Sequence, residues 1–506
     1  MLEPEKLQYQ INSLLDERRY IEALELLDKK NKGFLNTKKD FVLLAEIAGS
    51  YITLGAESFN LEPVNKGIKL FKDNLESLEK VITKESIYYC LGNGYQAIYN
   101  IENVKQQSVY PSPENVKENL FDAKQYFLKA FKRLDLKNLN NLSIQILTNL
   151  GNNLTHSGRI VDALQLFDLV LKYNPNFPEA LVSKADTLRY MLRTTDCAIT
   201  ISLFVEIYHL YKKAKEQEND SLNIRSVIEN GIQYSQAFLR ENNFNFNSSE
   251  QELKLNEIEY QNHNTKLKFY LDNFLSLSEH ALYCNCNGSK IDNLTIGYPN
   301  FITTDVKIVQ LEILLNRIKS EFSLGRTLYY EFLNYEYEDN VHYENLIEGI
   351  TNGLNYEKLR TSFRLCFGIL DKIAEGICSL FELKTNPNEN IYFESFWNPK
   401  GNKERWVQIN SVKNIHLTAL YSIASDLNRR NGEFGFYKNW RNRMEHGIFT
   451  LTDDSKENNL IFKEQLLLEH TTKDNFENQT KFLLQLTRSA IFSFVFCTRQ
   501  KLITKE

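Results

Sequence analysis

One stretch, residues 144–177, constrains the fold more than any other part of the chain; it reads IQILTNLGNNLTHSGRIVDALQLFDLVLKYNPNF. The small residues Gly151 and Ala163 fall where two antiparallel helices must approach closely, and Phe167 falls where the groove between them must be filled. Pro175 would then end the second helix, because proline interrupts helical hydrogen bonding. The stretch therefore predicts a helical hairpin. Eight residues carry this helical-hairpin pattern: Leu147, Leu150, Gly151, Leu154, Ala163, Phe167, Val170 and Pro175.

The spacing of these residues resembles that of a tetratricopeptide repeat. The resemblance implies an array of helical pairs, a solenoid, over residues 1–240. Such arrays present a concave surface that suits a peptide or protein segment, so a protein or peptide partner is expected. A helical scaffold without a ligand is the alternative. Weaker copies lie at 17–30, 41–55, 88–100, 121–135 and 179–191.

Helix-breaking residues are rare, with 20 glycines and 9 prolines among 506 residues. This scarcity favours an all-α fold throughout the chain. The formal net charge is −5, which argues against a protein that coats nucleic acid through a globally basic surface. A local basic site is still compatible with that charge.

No apolar segment near the N-terminus resembles a signal peptide, and no uncharged run reaches the roughly 18 residues that span a bilayer. The longest apolar run, residues 489–497, lies between Arg488 and Arg499 and predicts a core helix. Seven scattered cysteines do not form the pattern of a disulfide framework. A cytoplasmic protein with no membrane partner is expected.

Residues 241–300 are predicted to connect two halves of the chain, because their first part is rich in Asn, Gln, Ser and Glu. From residue 301 to 506, apolar residues recur at helical spacing in long segments. These segments predict an antiparallel helical bundle. The four predicted long helices span 305–334, 356–383, 414–430 and 476–502.

The connecting segment contains a weak candidate metal site at His280, Cys284 and Cys286. Structural zinc sites commonly use four ligands in closely spaced pairs, and no second cysteine pair lies nearby. His263 is the only other local candidate. An irregular loop with two incidental thiols is the alternative, so no metal and no cofactor is expected.

The stretch NWRNRMEHGIF, residues 439–449, carries the pattern R-N-x-x-x-H through Arg441, Asn442 and His446. This pattern resembles the active-site motif of HEPN domains. Three neighbouring stretches, 368–383, 392–397 and 419–427, are similar to the other elements of a HEPN lineage that often carries tetratricopeptide-like repeats upstream. Together they identify residues 301–506 as a HEPN-like helical bundle.

The resemblance implies a metal-independent endoribonuclease, with RNA as its substrate. It also implies that two copies of the motif meet across the interface of a homodimer or a higher even oligomer. A nuclease with an upstream repeat array resembles a toxin or an antiviral defence effector that the repeats regulate.

The chemistry of the motif agrees with that expectation. RNA carries its own nucleophile, the 2′-hydroxyl, and His446 titrates near neutral pH, which suits general acid–base catalysis. Arg441 offers a permanently charged, planar group that matches phosphate oxygens. Asn442 lies four residues before His446 on the same helix face, where it can orient the imidazole or bind the RNA backbone. Arg441 and His446 are separated by about 140° around a helix, so a cleft lined from two sides uses both better than one surface does.

Two simpler interpretations remain open from sequence alone. Arg441 and Glu445 have the i,i+4 spacing of a surface ion pair, and His446 can be a favourable cation at a helix C-terminus. The bundle can also be a non-catalytic RNA-binding or protein-interaction scaffold that uses the bundle only for dimerisation. Four further residues are candidates for supporting the site: Asp371, Lys372, Arg443 and Glu445.

Overall fold

The computed structural model describes residues 3–37, 40–106, 118–217, 222–244, 246, 249–297, 306–338, 340–344, 350–398, 400–453 and 468–503. Within these residues the chain forms twenty α-helices and one small three-stranded sheet. The predicted all-α fold class is confirmed, and the sheet is an addition that the sequence analysis did not predict. The chain divides into two compact units, Met1–Ser157 with Lys172–Pro175, and Gly158–Leu171 with Asn176–Glu506.

The first unit is built from successive helices that pack on their neighbours, as the repeat pattern predicts. In one pair, α6 (Lys84–Gln106) and α7 (Glu118–Phe131), a Cβ atom on Gly92 would lie 2.6 Å from the Phe127 ring. Glycine therefore permits the close approach of these two helices. The N-terminal region is helical as expected, and its identity as a tetratricopeptide array stays a prediction. The helices are α1 (Glu3–Asp16), α2 (Tyr20–Thr37), α3 (Phe41–Glu57), α4 (Leu61–Asp73), α5 (Leu75–Leu78), α6 (Lys84–Gln106), α7 (Glu118–Phe131) and α8 (Asn141–His156).

The second unit contains the helices of the predicted bundle and several helices that precede them in the chain. Its helices are α9 (Ile160–Tyr173, of which the last two residues fall in the first unit), α10 (Pro178–Met191), α11 (Thr200–Glu216), α12 (Leu222–Glu241), α13 (Ser249–Gln261), α14 (Thr265–Asp272), α15 (Val306–Asn334), α16 (Leu354–Leu380), α17 (Lys403–Ser411), α18 (Ile415–Asp426), α19 (Phe436–His446) and α20 (Lys473–Ile503). All four predicted long helices are present as α15, α16, α18 and α20. Helix α20 packs against the other three, and its apolar run 489–497 is buried.

The sheet is short and lies beside α19. Strand β2 (Ile448–Thr452) is central, and it pairs antiparallel with β1 (Ile350–Thr351) and parallel with β3 (Leu468–Thr472). In the β2–β3 pair, Phe449 lies opposite Glu469. The sequence of β2, IFTLT, contains three β-branched residues and one aromatic residue, which suit a strand, and all but Ile448 are buried.

Much of the predicted connecting segment is packed into the second unit. Three buried arginines of α15 and α20 bind its backbone carbonyls, and a buried cation needs such partners because it has lost its water. The predicted boundaries at 240 and 300 differ from the division into compact units and stay predictions about the repeat array and the bundle. The three hydrogen bonds from these arginines to the connecting segment are Arg326 Nη1 to Leu275 O at 2.7 Å, Arg488 Nε to Ser276 O at 2.7 Å and Arg499 Nε to Thr295 O at 3.1 Å.

A buried ionic network joins α9 to the bundle. Arg159, with a side chain only 3% exposed, binds Asp162 Oδ2 through Nε at 2.9 Å and also pairs with Asp426 at the end of α18. Burial lowers the pKa of Arg159, but the two carboxylates outweigh burial and raise it above its ordinary value. Ser489 of α20 donates a hydrogen bond to Asp162. The network thus fixes α9, α18 and α20 together.

The network predicts a large effect of removing one carboxylate. Asp426→Leu leaves Arg159 buried with Asp162 alone, and breaking a buried pair in this way costs about 3–5 kcal/mol of unfolding free energy. The variant Arg159→Met/Asp162→Asn/Asp426→Leu is expected to lose much less, because it removes all three charges of the network. Chemical denaturation of the full chain measures both.

The matched control is Glu404→Leu, which removes a carboxylate that is 75% exposed in its ion pair with Lys384. Its expected cost is below about 1 kcal/mol. Equal losses for Asp426→Leu and Glu404→Leu would contradict the role of the buried pair.

Candidate functional site

Helix α19 begins after a tight turn that follows α18. The Phe434 N–H donates to the Asp426 carbonyl at 2.9 Å, which folds the chain back on itself. Gly435 passes so close to the Asn428 carbonyl that a Cβ atom there would collide with it. At the other end, the Gly447 N–H bonds the Arg443 carbonyl at 3.0 Å, and β2 starts one residue later. Both ends of α19 are therefore fixed by backbone contacts.

One face of α19 is anchored in an aromatic cluster. Trp440 is 6% exposed, and its ring centroid lies 5.4 Å from that of Phe449 and 5.7 Å from that of Phe476. One turn earlier, the buried Tyr437 hydroxyl donates to Gln479 Oε1 at 2.5 Å. The polar residues 441–446 follow these anchors, so the aromatic packing sets the direction in which each of them points.

The positive charge of Arg441 acts on a carboxyl of the neighbouring helix α16, that of Asp371. Burial raises the pKa of Asp371. Three smaller effects lower that pKa: a hydrogen bond that Asp371 accepts from the Phe393 N–H at 2.8 Å, and then the positive charges of Arg441 and Lys438. Arg441 is half-buried and its Nη1 donates to Asn442 Oδ1 at 3.2 Å. Asp371, predicted to support the site, is thus close enough for the charge of Arg441 to lower its pKa.

Lys438 and Glu394 belong to the same region, and the sequence analysis did not single them out. Their side chains form an ion pair, and Glu394 Oε1 also accepts the Arg429 N–H at 3.0 Å. Lys438 lies three residues before Arg441, which is one helical turn. Its spacing from Arg441 was the only sequence feature that could have identified Lys438 as a site residue, because its partner Glu394 is distant in sequence.

The end of α19 is exposed to solvent. Glu445 and His446 are both exposed, and within the described part of the chain no hydrogen bond or ion pair joins the His446 side chain to another residue. Among the same described residues, Arg441 and Glu445 do not form the i,i+4 ion pair that the simpler interpretation offers, since Arg441 binds Asn442 instead. His446 is the last residue of the helix, where a cation is favourable.

Arg443 points toward the sheet rather than toward Asp371. Burial raises the pKa of Glu469 on β3, and the nearby charge of Arg443 and a hydrogen bond from the Trp440 side chain lower it. Arg441 therefore acts on a carboxyl of α16, and Arg443 acts on a carboxyl of β3. Because β3 was not predicted, Glu469 could not be identified from sequence.

A comparison with protein-family models now bears on this arrangement. Residues 302–501 match the family model described as LA2681-like HEPN. The match covers less than half of the chain, but it contains α15 to α20 and therefore the whole surroundings of α19. No significant match is found among curated proteins or among solved structures.

The HEPN-like match supports the coarse expectation of a role in RNA or nucleotide chemistry. HEPN domains are commonly associated with RNA cleavage, and they often dimerise and bind RNA, although some members are not catalysts. Among the helices in the described part of the chain, none is both long and apolar enough to cross a membrane.

Lys372 in the HEPN-like domain is not brought to α19. Its Nζ pairs with Glu321 Oε2 of α15 at 3.1 Å and donates to the Gly368 carbonyl at 3.2 Å. Lys372 follows Asp371 directly in the helix, and adjacent helical residues point about 100° apart. That rotation explains why only Asp371 reaches the candidate site.

The weak zinc candidates lie upstream of the HEPN-like domain, and the structure brings all three together. One ligand atom each from His280, Cys284 and Cys286 can be chosen so that all lie within 4.8 Å of one another. The hydrogen bond from Cys284, together with that from His280, lowers the pKa of Cys286 to about 4 despite partial burial. The same bond, followed by burial, raises the pKa of Cys284.

The proximity of Arg441 to Asp371 gives a titration prediction. Arg441→Ala removes a positive charge that favours the ionised carboxylate, so the pKa of Asp371 should rise further above its ordinary value. Because a raised carboxyl pKa in the folded state favours the protonated form, the contribution of Asp371 to stability is greatest at low pH and is lost as pH rises through that pKa. Carboxyl carbon NMR of labelled protein measures the shift.

The control is Arg430→Ala, which removes an exposed arginine that lies outside α19. An Asp371 pKa that is the same in the wild type and in both variants would contradict the placement of Arg441.

Proposed function

We propose that the HEPN-like domain cuts RNA without a metal ion, by attack of the 2′-hydroxyl on the adjacent phosphate. One observation carries the proposal. The His446 side chain is exposed at the end of α19 without a hydrogen-bond or ion-pair partner among the described residues, while the positive charge of Arg441 on the same helix lowers the pKa of the Asp371 carboxyl against the effect of burial. An acid–base group and a phosphate-binding cation thus share one short helix within the matched region.

The reaction needs two proton transfers and one site for negative charge. One base removes the proton of the 2′-hydroxyl as its oxygen bonds to phosphorus, and one acid protonates the departing 5′-oxygen. His446 can perform either transfer, since an imidazole can both accept and donate a proton in general acid–base catalysis. The products are a 2′,3′-cyclic phosphate on the upstream fragment and a 5′-hydroxyl on the downstream fragment.

Arg441 would stabilise the charge that develops on the phosphate oxygens. Its guanidinium is planar and permanently charged, and preorganised charges of this kind stabilise a transition state most effectively. Asn442 accepts a hydrogen bond from Arg441 and so limits the orientations of that guanidinium. Asp371 and the Lys438–Glu394 pair would support the same geometry from the α16 side.

The cleavage proposal predicts the effects of four substitutions. Purified full-length protein should cut total RNA in the presence of EDTA, and His446→Ala and Arg441→Ala should each reduce the rate by about 100-fold or more. The controls His342→Ala and Arg430→Ala remove the same residue types from exposed positions and should keep the wild-type rate.

Equal cleavage by wild type, His446→Ala and Arg441→Ala would contradict the proposal. A strict requirement for magnesium would contradict the metal-independent mechanism. RNA binding without any cleavage would favour the non-catalytic scaffold, and some HEPN members are indeed not catalysts.

A two-fold dimer would let both residues of the motif reach one phosphate. Arg441 lies toward Asp371 on one side of α19, and His446 occupies its exposed end, about 140° away around the helix. A second copy of α19 facing the first would place two arginines and two imidazoles along one groove. In a two-fold interface the same patch occurs on both subunits, so one substitution acts twice.

Light scattering of the full chain tests this assembly. The predicted mass is twice the 59.3 kDa of one chain, or a higher even multiple. His446→Ala should leave the mass unchanged, because it removes a reacting group rather than the bundle surface. A strict monomer at micromolar concentration that still cleaves RNA would refute the composite site.

The repeat region would control the nuclease, as expected of a toxin or an antiviral defence effector. The support is the buried network in which Arg159, directly before α9, pairs with Asp426 at the end of α18. Asp426 also supplies the carbonyl that folds the turn before α19. A partner that binds the repeats differently in two states could therefore change the position of α19 through this network.

Weakening that network should release the nuclease. At a temperature where circular dichroism shows a folded protein, Asp426→Asn is expected to raise the RNA cleavage rate several-fold. The exposed control Glu404→Gln should not change it. An Asp426→Asn protein that is folded and cleaves at the wild-type rate would contradict control through this link.

A further inference from the structure

The three-residue cluster at 280–286 contains soft and nitrogen donors arranged around one point. His280 Nε2 lies 2.9 Å from Cys286 Sγ, and the Cys286 N–H lies 3.4 Å from Cys284 Sγ. All three ligand atoms fall within 4.8 Å of one another. Two sulfur atoms and an imidazole nitrogen are the donors that Zn²⁺ prefers, at about 2.3 Å and 2.0–2.1 Å.

The imidazole of His280 is held in the orientation that a metal ligand needs. Its other ring nitrogen, Nδ1, lies 2.8 Å from the Tyr283 hydroxyl, which in turn lies 2.7 Å from Ser202 Oγ. Gly288 lies against the ring, since a Cβ atom there would be 2.9 Å from two of its carbons. Metal-binding histidines characteristically use the second nitrogen for such a hydrogen bond.

The loop that carries the two cysteines is fixed by contacts with its backbone. The buried His263 places Nε2 2.9 Å from the Asn285 carbonyl, between the two cysteines. Glu259 accepts the Asn287 N–H at 2.7 Å. His263 therefore acts on the loop backbone and does not complete the ligand set as the sequence had allowed.

We propose that His280, Cys284 and Cys286 form a zinc site whose fourth position is taken by water or by another donor. The ion would stabilise a segment that is bound to the HEPN-like domain through Glu279, which pairs with Arg499 of α20 at 2.6 Å. Two thiolates and a neutral imidazole would balance the charge of Zn²⁺, so a partly buried ion carries little desolvation penalty. Metal binding would add its free energy to the folding of this segment.

Two measurements on the full chain test the site. Protein purified under reducing conditions and supplied with zinc, then gel-filtered, should retain about one zinc per chain by elemental analysis. Cys286→Ser and His280→Ala should lose it, whereas Cys90→Ser, which removes a thiol from the first unit, should retain it. Cobalt in place of zinc should give thiolate charge-transfer absorption in the wild type and in Cys90→Ser.

Cys284→Ser keeps a hydrogen-bonding group at this position. It therefore distinguishes loss of zinc through a missing ligand from loss of zinc through unfolding. It should remain folded by circular dichroism while its cobalt charge-transfer absorption falls, and a zinc chelator should lower the melting temperature of the wild type but not of this variant. No retained zinc in the wild type, or equal zinc in wild type and the folded Cys284→Ser, would overturn the proposal and identify the cluster as a hydrogen-bonded loop.

Discussion

The packing of Trp440 is the interaction on which the candidate site depends. Its ring lies among Phe363, Phe436, Phe449 and Phe476, with centroid distances between 4.9 and 6.1 Å. A buried aromatic cluster of this kind contributes both hydrophobic burial and preferred ring geometry. Because the Trp440 side chain also bonds Glu469, the helix cannot rotate without breaking a polar contact. The directions of Arg441, Arg443 and His446 follow from that restraint.

Buried charges give the second unit its cohesion. Arginines 159, 326, 488 and 499 are all nearly inaccessible, and each binds a carbonyl or a carboxylate of another segment. Burying a cation is costly unless it is paired, so each arginine favours one specific arrangement of the segments around it. The repeat-like helix α9, the segment 275–296 and the long helix α20 are thereby made parts of one folded unit.

This cohesion has a consequence for function. In the proposed regulation, a signal received by the helices that precede the HEPN-like domain would not need a flexible linker to reach α19. It would act through Arg159, Asp426 and the turn that begins α19, since these are joined by direct contacts. Proteins respond to a ligand through such a path only when the ligand distinguishes two states of it.

The features that were predictable from sequence are local ones. Helical periodicity gave α15, α16, α18 and α20, and the R-N-x-x-x-H motif drew attention to α19 before any coordinates. Arg488 and Ser276, in contrast, are 212 positions apart, and Arg159 and Asp426 are 267 apart. Such contacts leave no periodic pattern in the sequence, so the folded nature of the connecting segment was not foreseen.

The short sheet was missed for a related reason. Strand β2 has only five residues, and the single residue Gly447 separates it from α19. Its parallel partner β3 is separated from it in the chain, so no hairpin pattern marks the pair. Lys372 shows the reverse case, in which a residue adjacent to Asp371 was expected at the site but is directed to α15 by helical rotation.

The most direct test of the account is the chemistry of the RNA ends. Full-length protein is incubated with a short RNA of defined sequence in EDTA, and the fragments are analysed by mass spectrometry. Attack by the 2′-hydroxyl predicts an upstream fragment ending in a 2′,3′-cyclic phosphate and a downstream fragment beginning with a 5′-hydroxyl. Fragments with a 3′-hydroxyl and a 5′-phosphate would show that water was the nucleophile, and would contradict the role assigned to Arg441 and His446.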